Sequence, residues 1–539
     1  MHAPPRRPRH LLVGLALAAL AGCGDDPAPG ESGPDAGLGA DAAGSEIGPD
    51  AAPGPALLCQ PAPYWLSEGE VVEIPLLCDQ DEGLSGADVV IDGLPAGADY
   101  DPEAATITWQ PGLDQAAVYQ IETSLPDRGD AATITVGVAD AWDQAGNQPV
   151  VDPSAYPLEY GLPVFFLRPA PPLEAFPDQD DSPYVNAIVD YGGSTYYLQA
   201  RVRGQTSRSY PKQSYTLRFQ GALPFSDPEV AGGFIDKHRV VLTTTFDDNS
   251  YLRQRLAFEL WNQLDPEHVQ VQSFMAVVYL DGEFTGLYTV TDHLDEDLLR
   301  QQGLGGDGNL YKAINHDANF RADRTFSDEP KLTLHDGLEK KAGVPADDFA
   351  DIEALFRFVI DSDDATFAAE LGERVALGDY LDWLILASFI AGDDNAGKNA
   401  YHYNPGDGPW RMAPWDLNAT FGQDWTTARR AAEDLDHYES MNRLFERVMS
   451  IPSLRDALAA RYRAALDGPL ATDALRGRID ALADEIAPVA RRDQDRWRST
   501  YESYEGWEGR TDYTSHDEEL EYLKTWIDTR WALLDARYP

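Results

Sequence analysis

The chain has 539 residues and carries 91 acidic against 42 basic side chains, a formal net charge of −49. That balance argues against nucleic acid or anionic lipid as the main partner. Hydrophobic residues make up 43%, with 25 Tyr, 19 Phe and 12 Trp, which excludes a disordered chain and leaves room for two or three domains with full cores.

Arg6, Arg7 and Arg9 precede the apolar run Leu11–Gly22, and Cys23 follows at once. The run is too short to span a bilayer and has a signal peptide's basic flank, so 1–22 reads as a signal peptide. Leu20-Ala21-Gly22-Cys23 resembles a bacterial lipobox, in which the cysteine is acylated and becomes the mature N-terminus; an ordinary signal peptide cleaved nearby is the alternative. The expectation is an exported protein, lipid-anchored in the cell envelope, at a bacterial outer membrane or cell surface. There are three cysteines. With Cys23 lipidated, Cys59 and Cys78 remain in an oxidising setting and are expected to form a disulfide rather than stay as two buried thiols. Closing a loop of that length stabilises by about 3 kcal/mol in the entropic model.

Residues 23–56 are rich in Gly, Ala, Pro, Asp and Ser, with almost nothing apolar to bury, and read as a disordered acidic linker. From 57 to 152 the pattern is short β-runs separated by turns, among them EVVEIPLLC, ATITWQP and ATITVGVAD. Gly93-Leu94-Pro95-Ala96-Gly97 and Thr106-Ile107-Thr108-Trp109 are similar to immunoglobulin or cadherin-like modules of bacterial surface proteins. A β-sandwich of that size serves as a spacer or a ligand-binding module.

A third unit, 161–539, opens with more strands: LPVFFLRP, then YVNAIVDYGGSTYYLQARVRG, KQSYTLRF and HRVVLTTTF. Asp247-Asp248-Asn249-Ser250 is an N-cap cluster. The helix expected after it, Tyr251–Leu264, puts Leu252, Arg255, Leu256 and Glu259 on one face. A hairpin turning at Asp281-Gly282 follows. From Phe349 onward the pattern is mostly helical.

One stretch, Ala391–Gly422, interrupts those helices. After the apolar run Asp379–Ile390 come Asp393, Asp394, Lys398 and Asn399, a short Tyr/His strand, a Pro-Gly turn and a second strand ending at Asp416. Asp394 and Asn399 are five apart, the separation of Asp and Asn in the kinase loop H-R-D-x-x-x-x-N. Asp416 follows a hairpin, as the magnesium-binding Asp of D-F-G does. There is no H-E-x-x-H, C-x-x-C or G-x-S-x-G. A pair of glycosidase carboxylates stays open, because distances in space are invisible here.

At these residues the chain resembles the CotH (spore coat protein H) kinases, whose hallmarks are an R-G-x-S/T-S, a K-N-x-Y and a P-W-D-L-D segment. Here they stand as Arg203–Ser207 (RGQTS), Lys398–Tyr403 (KNAYHY) and Pro414–Asn418 (PWDLN). The resemblance implies a multidomain chain: an all-β immunoglobulin-like sandwich followed by an α+β, atypical two-lobed kinase-like domain. It implies transfer of phosphate from ATP, with Mg²⁺ or Mn²⁺, to Ser/Thr of a protein in the cell envelope or at the surface. Asp394 would orient or deprotonate the acceptor; Asn399 and Asp416 would hold the metal. Lys212, held by Glu259, would cradle the phosphates beside Arg203, with Lys312 ranked behind Lys212 for that role. Two positions depart from the pattern. Gly392-Asp393 stand where kinases have His-Arg, leaving Asp393 and Asp394 as rivals, and Asn418 replaces the motif's second Asp. Two further functions therefore stay open: a surface adhesion or structural protein with an inactive kinase-like fold, or a nucleotidyl transferase on the same scaffold.

Overall fold

The computed structural model describes residues 58–539, apart from 60–61, 79–83, 178–181, 323, 326, 328, 435–440 and 508–509. The signal segment, Cys23 and the acidic linker expected above lie outside the described residues.

Two sheets open the described chain. One is ordered Tyr64–Ser67, Asp130–Ala139, Ala117–Leu125, Val90–Asp92; the other Val72–Pro75, Thr106–Trp109, Asp99–Asp101. Period-two alternation gives each an inner face. Along Asp130–Ala139 the residues Ala132, Ile134, Val136 and Val138 are buried. They share one core with Ile74, Ile107 and Trp109 of the second sheet. Cys59 and Cys78 are joined as a disulfide.

The next sheet is eight-stranded: Val185–Tyr191, Ser194–Arg203, Ser214–Arg218, Arg239–Thr244, Glu283–Asp292, Ser273–Leu280, Leu162–Pro169, Leu158–Glu159. This sheet has no free edge at its long strands. Leu162–Pro169 pairs in parallel with Ser273–Leu280 and antiparallel with Val185–Tyr191, so one strand seals both edges and the sheet becomes a barrel. Alternation again sorts the side chains. Phe274, Ala276 and Val278 point into the barrel with Phe165, Leu167 and Tyr288. Met275, Val277 and Tyr279 face outward into the core shared with the helices.

The helical part surrounds Leu377–Ile390, which is buried on nearly every face. That explains its unbroken apolar run, since a helix hydrophobic all round belongs inside a core. A four-stranded sheet ordered Leu338–Ala342, Asn309–Ala313, Ala400–Asn404, Arg411–Pro414 lies against it. The helix expected from Tyr251 begins instead at Arg253. Tyr251 has φ +60°, outside the helical region, and the Arg253 amide is capped by Asp248 Oδ2 at 2.9 Å.

The two-sheet module is bonded to the rest through buried polar groups. Glu159 accepts from Tyr156 and Tyr279 hydroxyls at 2.7 and 2.8 Å and from Arg492, which also donates to the Asp140 carbonyl. Asn147 Nδ2 bridges Asp140 and Glu68 at 2.9 and 3.0 Å. Burial pushes the Asp140 carboxyl up to about 6, with Glu68 and Glu159 adding repulsion against the pull of Asn147 and Arg492.

A carboxyl raised in the folded state binds its proton more tightly there than when unfolded. Its stabilising contribution is full below about pH 4 and is lost as pH rises through about 6, a swing of about 3 kcal/mol. Asp140→Asn keeps the acceptor for Asn147 and removes the titration. The stability difference between variant and wild type should therefore change across pH 4–6 and be level above it, as read by urea unfolding. A difference that is flat across that range would show that Asp140 does not carry the effect.

Candidate functional site

The hairpin sets the geometry. Its ladder ends at the pair Ala400–Pro414, and the next bond runs from the Trp415 amide to the Asn399 carbonyl at 2.8 Å. Asn399 and Asp416 therefore leave the same end of the hairpin. Both have left-handed backbone, φ +54° and +57°, a region Asn and Asp tolerate better than other side chains with a Cβ. Asp416 is exposed.

The loop before Asn399 is locked onto the hairpin. Asn395 Nδ2 donates to the Trp415 carbonyl at 2.8 Å, and Trp383 Nε1 donates to the Asn395 carbonyl at 2.6 Å. Asp394 is flanked by His316 Nε2 at 3.1 Å and Lys398 Nζ at 3.0 Å, one on each carboxylate oxygen. Burial pushes its carboxyl up, but the His316 bond and the Lys398 charge outweigh this and hold it below the usual range. The side chain of Asp393, its rival, lies outside the described residues.

Beside the hairpin lies a cavity of about 240 Å³ lined by Arg201, Arg203, Arg239, Lys312 and Lys341, with Tyr184, Tyr401 and Trp415. Lys312 enters from Asn309–Ala313, where it pairs with Tyr401, and its Nζ lies 5.8 Å from that ring's centre. Arg203 ends the strand Ser194–Arg203 and lies over Trp415 at 5.4 Å. Gly204 follows at φ +111°, where a Cβ would stand 2.0 Å from Ser207 Oγ, so the turn after Arg203 requires glycine. Burial lowers the Lys312 ammonium to about 8; Arg203 adds to the shift and Asp416 opposes it. Burial likewise lowers Arg203, with Asp416 and Tyr401 opposing. Asp295, which binds Arg239 at 3.0 Å, and Glu296 also line the cavity, so the five cations leave it net positive in a chain of net charge −49, which suits an anion. The rings add faces on which a flat heterocycle stacks.

Lys212 and Glu259, expected as partners, are not brought together. Lys212 has no accessible surface and bonds Asp493, Thr245 Oγ1 at 2.9 Å and the Leu287 carbonyl at 2.7 Å. Glu259 binds Arg478 at 2.6 Å and Arg255 at 3.2 Å. The cause is the helix Thr472–Glu502, which supplies both Asp493 and Arg478. Gly286, at φ +110°, admits the Asp493 carboxylate, since a Cβ there would meet Oδ2 at 2.0 Å. Lys212 is therefore a pin between barrel and helix, and of the two lysines weighed for the phosphate role it is Lys312 that lines the cavity.

One residue that sequence reasoning took for part of a helix cap belongs to this site. Asp247, fully buried, accepts a hydrogen bond from Asn418 Nδ2. Burial pushes its carboxyl up to about 7, and Asp248 and Asp416 add to this. Asp247, Asp416, Asn399 and Asn418 thus offer hard oxygen donors at one end of the hairpin, a set that suits Mg²⁺ or Mn²⁺. A second cluster, Asp265, His268 and Asp382, does not: Arg461 binds both carboxylates, which makes it an ion-pair network. Arg201, Arg239 and Lys341 were also missed. Arg201 and Arg203, two apart on one strand, were the available signal.

A family model described as CotH kinase protein matches residues 200–534. Inner spore coat protein H of Bacillus subtilis (strain 168) is 26% identical over 330 residues, covering 61% of this chain and 87% of that protein.

Lys212→Met should leave Asp493 buried and unpaired and lower stability by about 3–5 kcal/mol in urea unfolding. Lys312→Met should stay within about 1 kcal/mol of wild type while losing tripolyphosphate binding. Because Lys312 is charged only below about pH 8, that binding should weaken as pH rises through 8, and Lys312→Arg should flatten the dependence. Equal binding by wild type and Lys312→Met would remove Lys312 from the site.

Proposed function

The chain belongs to the CotH kinase protein family, and from that premise we propose that it transfers the γ-phosphoryl group of ATP to a Ser or Thr hydroxyl of an exported or surface protein. The observation that carries the reading is the cavity of five cations and three aromatic rings opening beside Asp416 and Asn399.

Phosphoryl transfer is mostly positioning and charge neutralisation. Lys312 and Arg203 bind the triphosphate oxygens, and Trp415 with Tyr184 or Tyr401 takes the base. Asp416 and Asn399 would hold Mg²⁺ or Mn²⁺, which when bound would add neutralisation of phosphate charge. Asp394, ionised at neutral pH and braced by His316 and Lys398, orients the acceptor hydroxyl and takes its proton. The hydroxyl oxygen forms its bond to the γ-phosphorus as the bond to the β,γ-bridging oxygen breaks, and ADP leaves. The barrel takes the part of a kinase upper lobe, and the helices that of the lower lobe.

The two-sheet module serves as an immunoglobulin- or cadherin-like spacer over 57–152, and 161–539 is the transferase domain. The relative's place in a spore coat and the lipobox-like Cys23 support a surface location with a lipid anchor. A binding-only surface protein is the second reading, and Asn418 in place of the motif's Asp is the observation that favours it.

Radiolabelled ATP with the purified chain and a Ser-rich basic peptide tests the choice. Asp416→Ala should reduce transfer by about a hundredfold or more without changing the melting temperature. Asp394→Asn should spare nucleotide binding and slow transfer by about 10²–10⁴. Absence of both ATP binding and transfer in the wild type with either metal would leave the binding-only reading standing.

A further inference from the structure

Asp247, Asp248 and Asp493 are three buried carboxylates of the region between barrel and helices. Asp248 is paired with Arg253 at 2.5 Å, and Asp493 is paired with Lys212. Asp247, 3% exposed, forms no ion pair among the described residues. Its contacts are neutral: Asn418 Nδ2 on the carboxylate, Gln423 Nε2 on the carbonyl at 2.6 Å, and a bond to the Tyr210 hydroxyl. Burying a carboxylate without a bonded cation is costly by several kcal/mol. Asn418, two residues after the exposed Asp416, links the two carboxylates, and repulsion from Asp416 adds to that penalty.

The sequence supplies an independent observation. Position 418, where the family motif repeats Asp, is Asn, and it is the Asn418 amide that reaches the Asp247 carboxylate. The negative charge lost from one side of this contact stands on the other.

We propose that Asp247 supplies the second carboxylate of the metal site, in place of the acid that position 418 lacks. The inference rests on the phosphotransferase reading, through its need for a divalent cation at Asp416. Ligand charge count sets the affinity of hard-cation sites. One carboxylate with amides leaves a divalent ion under-neutralised; two carboxylates balance it. Asn418 then acts as the positioning partner, holding Asp247 by its amide where a second Asp would repel it.

The test is Mn²⁺ binding to the full chain without nucleotide, by calorimetry and by the loss of the free-ion electron paramagnetic resonance signal. Asp247→Asn should weaken binding about tenfold or more, the scale on which metal-site partners act. The exchange Asp247→Asn with Asn418→Asp should restore the wild-type affinity, because the contact then has the same groups with their sides reversed. Melting temperatures accompany each variant. If Asp247→Asn unfolds, the exchanged variant decides alone: folded without Mn²⁺ binding, it overturns the proposal. Wild type that binds Mn²⁺ and Asp247→Asn that binds it equally well also overturn it while sparing the phosphotransferase reading. Wild type that binds no Mn²⁺ removes the metal-dependent reading itself.

Discussion

Arg253 is the residue on which the site depends. It has no accessible surface, and its guanidinium bonds Asp248 Oδ1 at 2.5 Å, Glu519 Oε1 at 2.6 Å and the Thr420 carbonyl at 3.0 Å. Those partners come from the loop after the barrel strand Arg239–Thr244, from the C-terminal helix His516–Arg537, and from the segment after the hairpin. Glu519 is bonded again by Arg429 Nη2 at 2.6 Å. A buried charge bonded to three separate segments is expensive to break, so these segments cannot shift independently. That fixes Asp247 against Asn418 and gives Asp416 a rigid floor.

The charge distribution follows from the same logic. Acidic side chains dominate the chain, yet the cations around the hairpin divide into two kinds. Arg253 and Lys212 are bonded to carboxylates and hold the architecture together. Arg201, Arg203, Lys312 and Lys341 line the cavity beside the hairpin, where burial, and after it the charge of Arg203, lowers the proton affinity of Lys312. Cations gathered against one another are poor stabilisers and good anion receptors. Polyphosphate has the charge density that such a group would match.

What was legible in the sequence was local. The hairpin from Ala400 to Pro414, the buried helix Leu377–Ile390 and the Cys59–Cys78 pairing follow from turn residues, apolar runs and cysteine arithmetic. Barrel closure was not legible, because it depends on one strand pairing with partners far away in sequence. The exchange of roles between Lys212 and Lys312 was hidden for the same reason: each lies in or beside a strand, and only a helix some 280 residues later, with Asp493, separates them. Asp247 and Asp248 look alike in sequence as a helix cap. One caps the helix and the other does not, because Asp248 reaches the Arg253 amide while Asp247 turns to Asn418.

This last pair bears on how a departure from a motif is read. Along the chain, Asn418 is a missing acid and weighs against chemistry at the site. In space, the acid is present 171 residues away, on the other side of a hydrogen bond. A cation responds to the oxygens and charge around it and not to the order in which the backbone delivers them. A motif read along the sequence therefore undercounts the site wherever a second segment contributes. Arg253 clamps the loop bearing Asp247 to the segment after the hairpin and so keeps Asp247 against Asn418.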